Sequence, residues 1–186
     1  SESLVKYVSI FKNRGKEAGA SLSHSHSQLI TLPILPPLIK REMGAISRAS
    51  VCPFCNIVSQ EKESCRLIDE NENWILIAPF YSQAPYETWI LPKRHFANLQ
   101  EMQDDEAKSL AALLKRVLGG MRSLLNDPPY NYMIFQLPFG YHLNIRIQPA
   151  LSKIAGFERN TGVYINSFAP EQAAGELRQM LIAPKS

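Results

Sequence analysis

The sequence His24-Ser25-His26-Ser27-Gln28 is the most informative stretch of this chain, for both its fold and its chemistry. Two imidazoles and one amide alternate with serines, and an apolar run follows at 29–32. Alternation with a period of two is typical of a β-strand, in which positions i, i+2 and i+4 share one face. We therefore expect His24, His26 and Gln28 to line one side of a strand. A reaction centre can use a metal ligand, a nucleophile and a hydrogen-bond donor in a row, whereas a buried strand face cannot.

A glycine-rich loop precedes this strand and could receive an anion. Residues 13–21 are small and polar, and they include two basic side chains. Gly15 and Gly19 permit tight turns, and backbone N–H groups there, together with Arg14 and Lys16, could bind a phosphate. An ordinary surface loop, with histidines that only satisfy hydrogen bonds, is the alternative. The combination of a basic glycine loop with the HxHxQ pattern favours the functional interpretation.

These segments resemble the galactose-1-phosphate uridylyltransferase branch of the histidine-triad superfamily. Hydrolases of that superfamily usually have a third His where this chain has Gln28, and the transferase branch has Gln. The resemblance covers nearly the whole chain, and residues 23–28 and 126–133 are especially similar to the plant ADP-glucose phosphorylase member. Further matching motifs are Pro85-Tyr86-Glu87-Thr88-Trp89-Ile90-Leu91-Pro92-Lys93-Arg94-His95, Asn126-Asp127-Pro128-Pro129-Tyr130-Asn131-Tyr132 and Lys153-Ile154-Ala155-Gly156-Phe157-Glu158.

The resemblance implies a nucleotidyl transfer in two steps. His26 would attack the α-phosphorus of UDP-glucose, release glucose 1-phosphate and pass the uridylyl group to galactose 1-phosphate. Gln28 would donate a hydrogen bond to a phosphoryl oxygen, where charge develops. An ADP-glucose phosphorylase would instead transfer an adenylyl group to phosphate. The choice between uridine and adenine, and the choice of acceptor, stay open at this point.

The same resemblance implies which residues bind the substrates. One group matches positions that hold the nucleotide phosphates: Asn13, Gly19 and Ser21. A second group matches the region that recognises the hexose phosphate: Lys153, Gly156, Phe157 and Glu158. For the second group, an ordinary turn with core packing is an alternative that the sequence leaves open.

Four side chains have the ligand types of a structural zinc site. Such sites hold zinc in a tetrahedron of Cys and His side chains. Cys52 and Cys55 form a CxxC pair, and His95 and His142 are the histidines outside the HxH pair. The corresponding positions in the family supply the remaining two ligands, so we expect one zinc site from these four residues. A redox dithiol is the alternative for a CxxC motif, but the predicted strand order does not provide the βαβ context of that motif.

The chain also contains an internal repeat. The segment 142–146, which reads His-Leu-Asn-Ile-Arg, occupies in a second unit the place of the HxHxQ segment. Because Asn144 replaces the nucleophilic His, we expect the second unit to be catalytically silent. Residues 1–36 would be the C-terminal remnant of the first repeat, and residues 37–186 the complete second repeat. His24 would be the metal ligand of the first repeat, and the other ligands of that metal would lie upstream of residue 1. The sequence begins without Met and enters a predicted strand at once.

The order of elements predicts an α+β fold, with a histidine-triad-like antiparallel sheet and helices packed on one face. Residues 104–125 have leucines at three- and four-residue spacing, which is typical of an amphipathic helix. Pro128 and Pro129 forbid its continuation. A last helix is expected from Pro170 to Leu181, because Pro suits the first helical turn.

The composition limits the possible partners. The chain has 186 residues, of which 45% are hydrophobic, so it can bury a sizeable core. A net charge of +3 does not indicate a nucleic-acid partner, and no apolar run is long enough for a membrane span. A nucleic-acid-binding zinc finger is disfavoured. The two His ligands of such a finger lie about three to five residues apart, whereas His95 and His142 are widely separated in this sequence. A zinc-stabilised module without catalysis remains an alternative to a cytoplasmic, homodimeric enzyme that binds a sugar nucleotide and a hexose 1-phosphate.

Overall fold

A seven-stranded antiparallel sheet organises the computed structural model, which describes residues 4–22 and 24–182. The strand order is β2-β1-β6-β7-β5-β4-β3. The strands are β1 (Tyr7–Arg14), β2 (Gln28–Leu32), β3 (Leu67–Glu70), β4 (Trp74–Ile77), β5 (Thr88–Pro92), β6 (Tyr130–Phe135) and β7 (Asn144–Pro149). The helices are α1 (Pro37–Arg48), α2 (Pro53–Glu61), α3 (Asp104–Leu124), α4 (Gly156–Thr161) and α5 (Pro170–Ile182).

The long helix α3 and the last helix α5 cover one face of the sheet. Leu113 and Val117 of α3 are buried against Trp74, Ile145 and other sheet residues. A capping box begins α3, and the indole N–H of Trp74 donates to the carbonyl oxygen of Glu106 over 2.9 Å. The apolar stripe expected over residues 104–125 is therefore the stripe that forms this core.

The shorter helices α1 and α2 lie on the opposite face, near one end of the strands. Ile39 of α1 and Phe54 of α2 are buried in a second cluster with Ile75, Ile77 and other residues. Proline at the start of each helix suits the first turn, because its missing N–H would have no helical partner there. The fold thus has the expected antiparallel sheet, with these two helices added on the second face.

The HxHxQ segment differs from its expected strand geometry. Residues 24–27 have no regular secondary structure, and β2 begins only at Gln28, opposite Phe11 of β1. Gly15 and Gly19 have positive φ angles of 84° and 80° and flank a 3-10 turn. Because this turn displaces the chain from the sheet, the returning segment joins β1 late, and the two histidines lie in the connection.

One continuous sheet joins the two predicted repeats. β1 and β2 come from the predicted unit 1–36, and β1 pairs with β6, which belongs to the predicted unit 37–186. Both units include residues outside the described part of the chain, and the division into two repeats stays a prediction. Within the described residues, no helix is long and apolar enough to cross a membrane.

We predict that Gly15→Ala destabilises the protein more than Gly162→Ala. Gly162 is in the left-handed helical region, which costs an L-residue about 1–2 kcal/mol, whereas Gly15 has φ 84° and ψ 152°, a region that is essentially restricted to glycine. An added Cβ at Gly15 would lie 2.6 Å from Cβ of Pro129, whereas at Gly162 it would meet no described atom within 4 Å. Urea unfolding of the two variants measures the difference. Equal losses would show that the contact with Pro129 does not constrain the loop.

Candidate active site and metal centre

The structure brings the four predicted zinc ligands together. Cys52 precedes α2 and Cys55 lies in its first turn, while His95 follows β5 and His142 precedes β7. Their sulfur and nitrogen atoms all lie within 4.8 Å of one another. The residues come from three separate parts of the chain, so the tertiary fold assembles the cluster.

The spacing of the donor atoms suits a small tetrahedral ion. Zinc bonds of about 2.3 Å to sulfur and about 2.0–2.1 Å to nitrogen would place neighbouring S and N atoms about 3.6 Å apart. Cys55 Sγ lies 3.3 Å from His95 Nδ1 and 3.5 Å from His142 Nδ1. Cys52 Sγ lies 3.8 Å from His142 Nδ1. This donor set could therefore hold a metal ion.

Hydrogen bonding and burial prepare His142 to act as a ligand. Its Nε2 lies 3.1 Å from the carbonyl oxygen of Pro92, which can only accept, so Nε2 carries the proton and Nδ1 faces the cysteines. Burial lowers the pKa of His142 to about 4, which keeps the imidazole neutral. Burial and the neighbouring Cys52 raise the pKa of Cys55 to about 11. Metal binding would therefore release a thiol proton.

The half-buried ring of His26 is held by the backbone of the HxHxQ segment. His26 Nδ1 lies 3.0 Å from the carbonyl oxygen of His24, and the two rings have centroids 5.7 Å apart. Because a carbonyl oxygen only accepts hydrogen bonds, Nδ1 carries the proton. The lone pair of Nε2 is then the basic, nucleophilic position of the ring.

The serines of this segment attach it to the neighbouring strands. Lys12 Nζ on β1 donates to Ser25 Oγ. The hydroxyl of Ser27 lies 3.3 Å from the hydroxyl of Tyr132 on β6. The contacted strands, β1 and β6, follow β2 in the sheet, so the irregular segment stays close to the sheet.

The glycine loop brings two of the three predicted phosphate-binding residues together. Asn13 is at the end of β1, and an added Cβ on Gly19 would lie 3.8 Å from Asn13 Nδ2. Ser21 lies in the exposed bend that follows. Arg14 differs from its expected role as a phosphate ligand, because its guanidinium donates to Asp127 over 2.8 Å and to the Pro128 carbonyl.

The four predicted hexose-phosphate residues separate into two groups. Lys153 lines a cavity of about 460 Å³ together with Glu17, Asn131, Gln148 and Arg159. The remaining three residues form the first turn of α4: Gly156, Phe157 and Glu158. The carboxylate of Glu158 accepts a hydrogen bond from the Ala155 N–H, and backbone hydrogen bonds lower its pKa.

The segment 142–146, the predicted counterpart of the HxHxQ segment, contains a buried charge network. Arg146 donates to Glu42 Oε1 over 2.7 Å and to Asn144 Oδ1 over 2.8 Å. Its guanidinium lies between two aromatic rings, 4.2 Å from the Trp89 centroid and 4.0 Å from the Phe135 centroid. An amide and a paired guanidinium cannot attack phosphorus, which supports the expected silence of the predicted second repeat.

Sequence reasoning did not identify Glu42 or Asn131. Glu42 lies on α1 and meets a strand about a hundred positions later, and Asn131 lies in a matching motif to which the resemblance attached no role. A polar residue within the apolar pattern of α1 could have indicated Glu42. The sequence contains no comparable signal for Asn131, since its partners depend on strand register.

A family model and two curated relatives match this chain. The model of a domain of unknown function (DUF4921) matches residues 1–185. ADP-glucose phosphorylase of Arabidopsis thaliana is 38% identical over 189 residues, which cover 95% of this chain and 52% of the relative. Galactose-1-phosphate uridylyltransferase of Thermotoga maritima is 37% identical over 193 residues, covering 94% and 60%. The chain thus spans about half to three-fifths of the length of these relatives.

Solved structures have the same fold. The crystal structure of the Arabidopsis thaliana ADP-glucose phosphorylase with bound ADP-glucose matches with a TM-score of 0.86 at 37% identity, covering 94% of this chain and 59% of that chain. A zinc-bound histidine triad family protein from Mycobacterium smegmatis matches with a TM-score of 0.51 at 22% identity, over 69% and 91% of the two chains. That likeness concerns the fold alone, and the expected histidine-triad-like α+β fold is confirmed.

We predict that Glu42→Gln destabilises the protein by about 3 kcal/mol, because it leaves the buried Arg146 charge without a counter-ion. The double variant Glu42→Gln/Arg146→Met should regain most of this loss, since Met can pack between the aromatic rings. Glu171→Gln breaks an exposed pair with Arg66 and serves as the control, with an expected loss below about 1 kcal/mol. Denaturant unfolding measures all three, and a double variant no more stable than the single one would contradict the prediction.

Proposed function

Because this chain belongs to the DUF4921 family and is homologous to the galactose-1-phosphate uridylyltransferases, we propose that it performs nucleotidyl transfer through His26. The observation that carries the proposal is the hydrogen bond from His26 Nδ1 to the His24 carbonyl. This bond leaves the Nε2 lone pair of a half-exposed ring available to a substrate.

The proposed reaction has two displacements at phosphorus. In the first, His26 Nε2 bonds to the α-phosphorus of UDP-glucose, the bond to the bridging oxygen breaks, and glucose 1-phosphate leaves. In the second, a phosphate oxygen of galactose 1-phosphate attacks the uridylyl–histidine, and the electron pair of the P–N bond returns to the imidazole. Covalent catalysis of this kind divides one difficult transfer into two easier ones.

Two further residues are proposed to stabilise the developing charge. Gln28 lies opposite Phe11 in the β1–β2 pair, so its side chain is on the same sheet face as Phe11 and Asn13. The amides of Gln28 and Asn13 could both donate to phosphoryl oxygens on that face. Gly19 and Ser21 would complete the phosphate site with backbone N–H groups and a hydroxyl.

The acceptor is proposed to bind beside the glycine loop. Lys153 and Glu17 line one cavity there, which places a cation next to the proposed phosphate site. The α4 residues Gly156, Phe157 and Glu158 would contribute to the same substrate from a neighbouring surface. Phe157 is 51% exposed, and such exposure suits a residue that a substrate or a second subunit covers.

We propose that the metal of the Cys52, Cys55, His95 and His142 cluster is zinc. Two thiolates and two imidazoles are a ligand set that zinc prefers in structural sites. The site has four protein ligands and no open position, so the metal would stabilise the fold and take no part in the reaction. His24 is proposed as a ligand of a second metal ion. It does not belong to the four-residue cluster, so the second ion would need other ligands.

An ADP-glucose phosphorylase activity is the second candidate function. It is favoured by the 38% identity to the enzyme of that name in Arabidopsis thaliana. The same His26 would then carry an adenylyl group, and phosphate would replace the hexose phosphate as acceptor. We also propose that the protein is a homodimer in the cytoplasm, with no nucleic-acid or membrane partner.

We predict that Cys55→Ser removes bound zinc, whereas Cys65→Ser does not, because Cys65 is an exposed thiol outside the cluster. The parent protein should bind about one equivalent of zinc in this cluster, with weaker binding at low pH, because protons compete for the ligands. Loss of the metal should lower Tm by on the order of 10 °C. Elemental analysis and thermal unfolding measure both effects. A Cys55→Ser variant that keeps the full zinc content of the parent protein would contradict the assignment.

We predict that radiolabelled UDP-glucose or ADP-glucose leaves an acid-labile phosphoramidate on His26. His26→Ala should abolish the label, while Ser47→Ala should retain it, because Ser47 is exposed on α1 and its hydroxyl donates to the Gly44 carbonyl of the same helix. Parallel reactions with the two sugar nucleotides identify the nucleotide. If a folded, zinc-loaded, full-length protein forms no adduct with either, the activity is excluded, and the zinc-stabilised module remains.

A further inference from the structure

The segment 126–131 packs against the glycine loop, and its last residue, Asn131, also lines the cavity proposed for the acceptor. Arg14, which begins the loop, donates to Asp127 over 2.8 Å and to the Pro128 carbonyl over 3.2 Å. Arg14 also holds the pKa of the Asp127 carboxyl below its usual range. Gly15 lies so near Pro129 that an added Cβ would be 2.6 Å from the Cβ of that proline. These contacts therefore hold the glycine loop against the segment 126–131.

Asn131 makes the most specific of these contacts. It lies on β6 directly opposite Asn13 of β1. Its side-chain nitrogen Nδ2 donates to the carbonyl oxygen of Ala18 over 2.8 Å and to Asn13 Oδ1 over 2.7 Å. One half-buried amide thus joins the strand end of the loop to its 3-10 turn.

These hydrogen bonds fix the orientation of the side-chain amides of Asn131 and Asn13. The Ala18 carbonyl can only accept, so the Asn131 atom that contacts it must be the NH2 group. The same NH2 group contacts Asn13, so the Asn13 atom that receives it must be the oxygen Oδ1. The NH2 group of Asn13 is then turned away from Asn131 and toward Gly19, where the phosphate is expected.

We propose that Asn131 is a positioning residue for phosphate binding, which it supports by fixing Asn13 as a donor toward the anion. The inference rests on the proposed function in one respect, namely that the glycine loop binds the phosphates of a nucleotide. Asn131 itself touches no reacting atom in this scheme. The hydrogen bond to the Ala18 carbonyl fixes the amide of Asn131, and Asn131 acts on the anion through Asn13.

The substitution Asn131→Asp tests this role with little change of shape. A carboxylate has no donor for Ala18 or Asn13, so Asn13 must turn its NH2 group toward residue 131 and its oxygen toward the anion. Labelling of His26 at saturating sugar nucleotide should then slow by on the order of 100-fold. Gln100→Glu adds the same charge at an exposed site away from the loop and should label normally.

A double-mutant cycle with Asn13→Ala separates positioning from a general structural effect. If Asn131 acts through Asn13, then Asn131→Ser should change the labelling rate by less than about threefold once Asn13 is already Ala. Equal fold losses in both backgrounds would overturn the proposal. The cycle uses Asn131→Ser because it removes the two hydrogen bonds without adding a charge that would repel the anion in either background.

Binding of inorganic pyrophosphate, measured by calorimetry on the full-length protein, provides a second readout of the same cycle. If His26 is not labelled but pyrophosphate binds, the proposed function fails, and the cycle in Kd decides whether Asn131 positions Asn13. Coupled losses of affinity would support the inference, and additive losses would overturn it. A folded protein that neither labels nor binds pyrophosphate would overturn both.

Discussion

The pairing of β1 with β6 is the constraint on which the proposed active site depends. It joins the hairpin that contains His26 and Gln28 to the remainder of the sheet, through contacts between residues more than a hundred positions apart. The register of this pair places Asn13 opposite Asn131 and Arg14 opposite Tyr130. A slip of one residue would turn Asn13 to the face covered by α3, because successive strand residues alternate in direction.

The corresponding segments of the two predicted repeats lie in opposite environments. In the first, the HxHxQ segment leaves a half-exposed imidazole beside a glycine loop. In the second, Asn144 and Arg146 are buried under α1, and the carboxylate of Glu42 neutralises the guanidinium. Burial of an unpaired charge would be costly, so α1 and β7 must form together.

The metal cluster and the charge network stabilise the same region. His142 belongs to the cluster, and two residues later Asn144 begins β7 and contacts Arg146. The carbonyl of Pro92, at the end of β5, orients the His142 ring. A metal bound here would therefore hold the ends of β5 and β7 and the start of α2 in one arrangement.

The sequence by itself determined the chemical groups and most of the local structure. Helix α3 was expected to cover residues 104–125 and ends at Leu124, because an apolar stripe and two prolines are local signals. The Cys and His ligands were identified through their chemistry and the family resemblance, and their assembly in space agrees with that prediction.

Only the tertiary structure decided where β2 begins, what Arg14 binds and what Asn131 holds. The strand was expected to include His24 and His26, but the turn between the two glycines delays the pairing until Gln28. Arg14, which the sequence places in a loop that could receive a phosphate, pairs with Asp127 in the structure. These outcomes depend on contacts between distant segments, whose register no local pattern encodes, and for that reason the position of each group could not be derived from its identity.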